Sequence, residues 1–204
     1  RAGTEVRKIT KSGALDVVDK GVQDYQTEAD RVAQRMIVAS LAKKFPKCTI
    51  VGEEDLAEDK KADFDLLVDT QDENVLKLNL PERYKNVKEE DVTIWVDPLD
   101  GTTEFVKGLL EHVTVLIGIS IDGKSVAGVI HQPFHGYEAA RSAGQVDPEC
   151  LPGRTMWGLI GLGCFGVEPK SLPTDKLIIT TTASHGNVDI EETLAGLKAD
   201  QVLK

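Results

Sequence analysis

The stretch Trp95-Val96-Asp97-Pro98-Leu99-Asp100-Gly101-Thr102 decides how this chain is read. The β-rich residues 92–96 run straight into it, so a strand is expected to end there, at a tight turn opened by proline. That turn carries two carboxylates, Asp97 and Asp100, which can both face one point beyond the strand. Hard cations such as Mg²⁺ take oxygen ligands, and the carbonyl of Leu99 can add another. Thr102 then opens a short helix, where free N–H groups and the helix dipole favour a phosphate. The ordinary alternative is a plain Asp-Pro and Asp-Gly turn. Five fixed positions coincide by chance only about once in several million windows, at about one in twenty each, so the motif is specific.

Upstream, residues 48–51 read as a strand that enters Gly52-Glu53-Glu54-Asp55, with Glu53 as a third carboxylate. An acidic loop alone is usually just solvated. Two strands that both end in acidic loops are what a shared two-metal site requires. Earlier still, Thr27-Glu28-Ala29-Asp30 opens an amphipathic helix that turns Val32, Met36, Ile37, Leu41 and Phe45 inward and stops before Pro46. The four residues have the pattern of a capping box, in which Asp30 reaches back to Thr27. A second reading puts Asp30 near the metals as acceptor for a hydroxyl proton.

Downstream, residues 113–121 and 124–130 are β-rich runs joined by Asp122-Gly123, a hairpin signal because both turn residues need positive φ. Residues 141–153 read as a polar loop, and 157–167 and 177–182 as further strands. Residues 56–80 are acidic and mixed, a helix and a loop. Helix and strand alternate with antiparallel pairing, which gives an α+β class in layers. Gly161-Leu162-Gly163-Cys164-Phe165-Gly166 matches a dinucleotide fingerprint, but Pro169 follows where a helix should, so the glycines fit a twisted or bulged strand better. His131 and His135 are spaced like zinc ligands on a helix, yet Pro133 between them argues for a turn. Thr180-Thr181-Thr182-Ala183-Ser184-His185 reads by itself as a solvated strand end.

Composition bounds the partners. The 204 residues carry 34 acidic and 24 basic side chains, a net charge of -10, which disfavours nonspecific binding to nucleic acid or to an anionic membrane surface. A polyanionic substrate remains compatible where metal ions reverse the field locally. Cys48, Cys150 and Cys164 are too scattered for a disulfide framework and are expected to be buried free thiols. No apolar run reaches the length of a membrane span. The chain opens on Arg1, and its first residues read like a helix interior, so residues before them are expected.

Together these segments resemble the lithium-sensitive, Mg²⁺-dependent phosphatases that include inositol monophosphatase and fructose-1,6-bisphosphatase, and among them the animal 3'(2'),5'-bisphosphate nucleotidases. The likeness rests on Gln26-Thr27-Glu28-Ala29-Asp30-Arg31, Gly52-Glu53-Glu54-Asp55-Leu56, Trp95 to Glu104, Val113-Thr114-Val115-Leu116-Ile117-Gly118-Ile119, Gly153-Arg154-Thr155 and the 180–185 run, so it covers nearly the whole chain. It implies a layered α/β sandwich, with residues 1–175 as an N-terminal α+β metal and phosphate domain. Residues 176–204 would begin a C-terminal α/β substrate domain that is incomplete here. The implied reaction is hydrolysis of 3'-phosphoadenosine 5'-phosphate to AMP and phosphate, and in some relatives cleavage of inositol 1,4-bisphosphate. Glu53, Asp97, Asp100 and the Leu99 carbonyl match ligands of two or three Mg²⁺ ions. Asp30 and Thr102 match the pair that activates the attacking water; Gly101, Thr102, Thr182 and His185 match substrate-side positions. A further metal-binding Asp, found in a Trp-Asp motif of that family's C-terminal half, has no counterpart in this chain. Gly101, where a Golgi relative has Ala, leans the resemblance toward the cytoplasmic enzyme; a monomer acting on a nucleotide bisphosphate is expected, and the acidic charge balance argues against a nucleic-acid or membrane partner. An inositol monophosphatase-like enzyme, or a non-catalytic fragment that binds metal or nucleotide, are the alternatives.

Overall fold

The computed structural model describes residues 1–21, 24–55, 67–144, 147–168, 171, 173–182 and 186–203. They divide into two compact units, Arg1–Val167 and Glu168–Lys204, each described by itself below.

In the first unit the helices are α1 (Ala2–Ser12), α2 (Glu28–Lys44), the single-turn α3 (Glu73–Leu76), α4 (Thr102–Val106) and α5 (Tyr137–Ser142). Strands β1 (Val18–Gly21) and β2 (Asp24–Gln26) form a small hairpin. Strands β3 (Thr49–Gly52), β4 (Val92–Asp100), β5 (Thr114–Ile121), β6 (Lys124–Gln132), β7 (Arg154–Leu159) and β8 (Gly163–Phe165) form one sheet in that order. β3 runs parallel to β4, and every other pairing is antiparallel. The helices and this mixed sheet are the α+β layers expected.

Helix α2 lies against β4 and α1 against α2. The fully buried face of α2 is Ala29, Ala33, Met36 and Ile37, whereas Val32 is only half-buried. Ile37 meets Ile94 and Val96, alternate residues of β4 that point inward, and Val115 of β5. The same buried face of α2 carries two polar residues, Asp30 and Gln34. At the far end of the strands, Phe105 of α4 packs on Phe134 at a ring separation of 6.2 Å and seats α4 in the core.

The β5–β6 turn forms as expected, with positive φ at Asp122 and Gly123. Residues 141–153 differ from a plain loop: they contain the end of α5 and a 3₁₀ turn at Pro148–Cys150. The 157–167 run is not one strand but the end of β7, a turn and β8. All three cysteines are free, but Cys150 and Cys164 are exposed rather than buried, because one sits in the surface 3₁₀ turn and the other on the edge strand. Among the described residues no helix is long and apolar enough to cross a membrane.

The second unit contains β9 (Ile178–Thr180), α6 (Val188–Leu197) and β10 (Gln201–Leu203). The two strands pair in parallel, so the segment is a strand–helix–strand crossover. Asn187 caps α6 by accepting from the Ile190 N–H.

Candidate active site

The deciding stretch does not stop the strand at Val96. β4 continues to Asp100 and stays paired with β5, passing through a bulge between Asp97 and Asp100. Buried Pro98 sits in that bulge, where its missing N–H costs no ladder bond. Asp97 Oδ1 accepts the Leu99 N–H at 3.2 Å, while Asp100 Oδ2 accepts the Thr114 hydroxyl at 3.0 Å. Gly101 follows at φ +83°, and a Cβ there would stand 3.1 Å from the His112 carbonyl oxygen. Glycine therefore fits on two counts, backbone angle and space. Helix α4 has only five residues, so its end charge is weaker than that of a long helix.

Parallel pairing of β3 with β4 brings the Gly52–Glu53 loop beside this turn, and the Glu53 N–H donates to the Val96 carbonyl at 2.9 Å. Glu53 and Asp97 share a cleft of about 380 Å³ with Val51, Gly52, Trp95 and Leu116. Burial, and then the facing Asp97 carboxylate, push the Glu53 carboxyl up to about 7. Asp97 is raised by burial and by Asp100, against the hydrogen bond it takes from Glu53. A cavity of about 500 Å³ between α2 and the sheet is larger, but it is lined mainly by apolar groups such as Met36, Leu41, Phe45 and Val115. It lacks the facing carboxylates.

Asp30 is fully buried and does two things at once. Its Oδ2 takes the Thr27 N–H at 2.8 Å and the Thr27 hydroxyl, which completes the capping box. Its Oδ1 stands 3.2 Å from the Thr102 hydroxyl, which is also 2.9 Å from the Leu99 carbonyl. One hydroxyl proton can go to either acceptor. Burial raises the Asp30 carboxyl, and the Thr27 hydrogen bonds oppose that shift.

Glu54, beside Glu53, turns the other way and is buried. Its carboxylate takes Lys20 Nζ at 3.0 Å and the Gln26 side-chain amide, both from the β1–β2 hairpin. Its backbone is held by Gln34: Nε2 donates to the Glu54 carbonyl at 2.7 Å, and Oε1 accepts the Glu54 N–H at 2.9 Å. Sequence reasoning missed Lys20 and Gln34, and named Gln26 only as part of a matching segment. The one signal for Gln34 was its place four residues after Asp30, on the same helix face.

The structure thus gathers Asp30, Thr102, Leu99, Glu53 and Asp97. Asp100 is close enough to raise Asp97 but is engaged by Thr114. Thr182 belongs to the second unit, and His185 lies outside the described residues. Among the described residues, no three acidic, His or Cys side chains converge tightly enough to hold an ion by themselves. The donors at the Glu53–Asp97 cleft are carboxylate and carbonyl oxygens, and the two acids repel each other. That donor set fits a hard divalent cation. His131 and His135 do not form a metal pair. His131 bonds Thr155 through Nδ1 and lies against Gly3, and burial, with Arg7 nearby, lowers its pKa, whereas His135 is exposed.

Comparison with known proteins agrees with the α+β layers. The chain belongs to the inositol monophosphatase family, whose model matches residues 1–202. It is 49% identical over 205 residues to human 3'(2'),5'-bisphosphate nucleotidase 1, across 100% of this chain and 64% of that protein. This chain therefore spans somewhat under two thirds of that relative's length. The fold matches extragenic suppressor protein suhB from Bartonella henselae with a TM-score of 0.60 at 24% identity, over 99% of this chain and 64% of that one. It also matches an inositol monophosphatase/NADP phosphatase solved with Mg²⁺ and phosphate, TM-score 0.57 at 17% identity, over 97% of this chain and 61% of that one.

The pKa of Glu53 gives a signed prediction for the metal-free protein. A carboxyl raised from 4.5 to about 7 in the folded state ionises first in the unfolded chain, so stability is expected to fall as pH rises through that window. Solvent access to Glu53 damps the effect. Denaturant melts at pH 5 and pH 8 check it, and equal or greater stability at pH 8 would contradict the pairing.

Proposed function

We propose that this chain carries the metal- and phosphate-handling part of a Mg²⁺-dependent phosphatase acting on 3'-phosphoadenosine 5'-phosphate, which it converts to AMP and phosphate. The observation that carries the reading is the convergence of Glu53 and Asp97 with the Asp30–Thr102 pair at the ends of β3 and β4. Kinship to bisphosphate nucleotidases supports the substrate.

Glu53, Asp97, Asp100 and the Leu99 carbonyl would hold two or three Mg²⁺ ions. Bound Mg²⁺ would supply charge that lowers the pKa of water, stabilises the departing oxygen and keeps nearby carboxylates ionised. The remaining chemistry belongs to the chain. Thr102, donating its hydroxyl proton to Asp30 Oδ1, leaves oxygen lone pairs free to orient the attacking water and accept its proton. Asp30 stays fixed because its other oxygen is tied to Thr27. Gly101 and Thr102 would present backbone N–H groups to the phosphate, with Thr182 and His185 on the nucleotide. Residues 176–204 are read as the start of a substrate domain, and the whole protein as a lithium-sensitive cytoplasmic monomer.

A substrate panel tests this reading in a protein extended to the relatives' length. Turnover of 3'-phosphoadenosine 5'-phosphate should exceed that of inositol 1-phosphate and should be inhibited by lithium. His185→Ala should raise KM for the nucleotide more than it lowers kcat, as for a loss of uniform binding. Equal or better turnover of the inositol phosphate would move the protein to the other branch of its family.

A further inference from the structure

The two acidic loops come from different strands, yet one helix touches both. On α2, Asp30 and Gln34 lie one turn apart on the same buried face. Asp30 reaches the Thr102 end of the β4 turn, and Gln34 grips Glu54 through two hydrogen bonds. Gln34 is 4% exposed, so neither bond competes with bulk water. The amide is matched to its target, because only a side chain with both an acceptor and a donor can satisfy the N–H and the C=O of one residue. Gly52 shows how close the fit is: a Cβ there would come within 2.5 Å of the Gln34 side-chain carbon. The Glu53 backbone is therefore bracketed, by Val96 through its own N–H and by Gln34 through the next residue.

We propose that Gln34 is a positioning residue for the Glu53 carboxylate: with Asp30 it makes α2 a fixed spacer between the two acidic loops, and so sets cation affinity. This rests on the metal-site reading above, although the grip on Glu54 does not depend on it. Gln34 touches no reacting atom. Its effect passes through the Glu54 backbone to the carboxylate one residue earlier. Groups of this kind, which orient ligands from behind, typically change metal affinity or activity by about 10–100-fold when lost.

Gln34→Met keeps the length and packing of the side chain and removes both hydrogen bonds. Gln34→Glu keeps the acceptor for the Glu54 N–H, loses the donor to its carbonyl, and adds charge beside Glu53. Three readouts separate the possibilities, all in the protein extended to the relatives' length. Amide exchange of Glu54, measured without metal, should accelerate in Gln34→Met and stay slow in Gln34→Glu. Calorimetric Mg²⁺ titration should show affinity about tenfold weaker or more in Gln34→Met, which loses both bonds without adding charge. Phosphate release should need correspondingly more Mg²⁺ for half-maximal rate, with kcat at saturating Mg²⁺ within about twofold of wild type. Accelerated Glu54 exchange with wild-type Mg²⁺ affinity would overturn the positioning role, leaving Gln34 as packing only. Unchanged Glu54 exchange in Gln34→Met would overturn the grip itself. A wild-type protein that binds no Mg²⁺ would instead sink the metal-site reading, while the exchange result still judged the grip.

Discussion

Replacing Asp30 by Asn is expected to lower kcat by about 10²–10⁴, the range typical of losing a positioned proton acceptor, while the melting temperature moves little. The geometry makes that separation possible. An asparagine can keep its oxygen on the Thr27 N–H and turn its amide toward Thr102, whose hydroxyl then donates to the Leu99 carbonyl 2.9 Å away. The cap survives, and the hydroxyl no longer has a carboxylate to take its proton. Thr102→Ala should fall to a similar level, and the double variant should be scarcely worse than either single one, because the two residues act as a unit. Loss of the cap alone would cost about 0.5–2 kcal/mol of stability and leave turnover of the folded protein nearly intact. An Asp30→Asn protein that melts early yet turns over normally below its melting point would reduce Asp30 to a capping residue.

Asp97→Asn is expected to have effects of opposite sign on binding and on stability. Without a cation, Asp97 helps hold Glu53 at a raised pKa, and its removal relieves that repulsion. The metal-free variant should therefore melt at or above the wild-type temperature. Mg²⁺ stabilises only a fold that binds it, by about 2.7 kcal/mol at a hundredfold excess over Kd, and that stabilisation should vanish in Asp97→Asn. Asp100→Asn should weaken binding as well, although its carboxylate is shared with Thr114. Calorimetric titration together with thermal melts, with and without Mg²⁺, reads both quantities. Wild-type affinity in the two variants would remove them from the site.

The legible parts of this chain were those written in local chemistry. The Asp122-Gly123 turn formed because both residues accept positive φ. The α2 helix began at its capping box and stopped ahead of Pro46, since a residue before proline resists helical geometry. The β4 turn was visible as a motif, but its shape was not: continued pairing with β5 carried the strand on to Asp100 through a bulge, and register is a non-local property. Asp30 had two sequence readings; its Oδ2 forms the capping box, and its Oδ1 takes the Thr102 hydroxyl, the contact on which the proposed second role rests. The grip of Gln34 was not legible. Its spacing from Asp30 placed it on the buried face, but its partner, the Glu54 backbone, is brought to it only by the pairing of β3 with β4. The exposed Cys150 and Cys164 show the converse: redox compartment argues for free thiols but says nothing of which surface they occupy.

Metal-dependent removal of phosphate from a nucleotide bisphosphate is the proposed task of the Glu53–Asp97 cleft and the Asp30–Thr102 pair. Its most direct test is phosphate release from 3'-phosphoadenosine 5'-phosphate by the protein extended to its relatives' length, with Mg²⁺ and with a chelator, alongside Asp97→Asn. Release that requires Mg²⁺ and is lost in Asp97→Asn is the predicted result. Release that persists in chelator, or that Asp97→Asn leaves intact, would contradict the account.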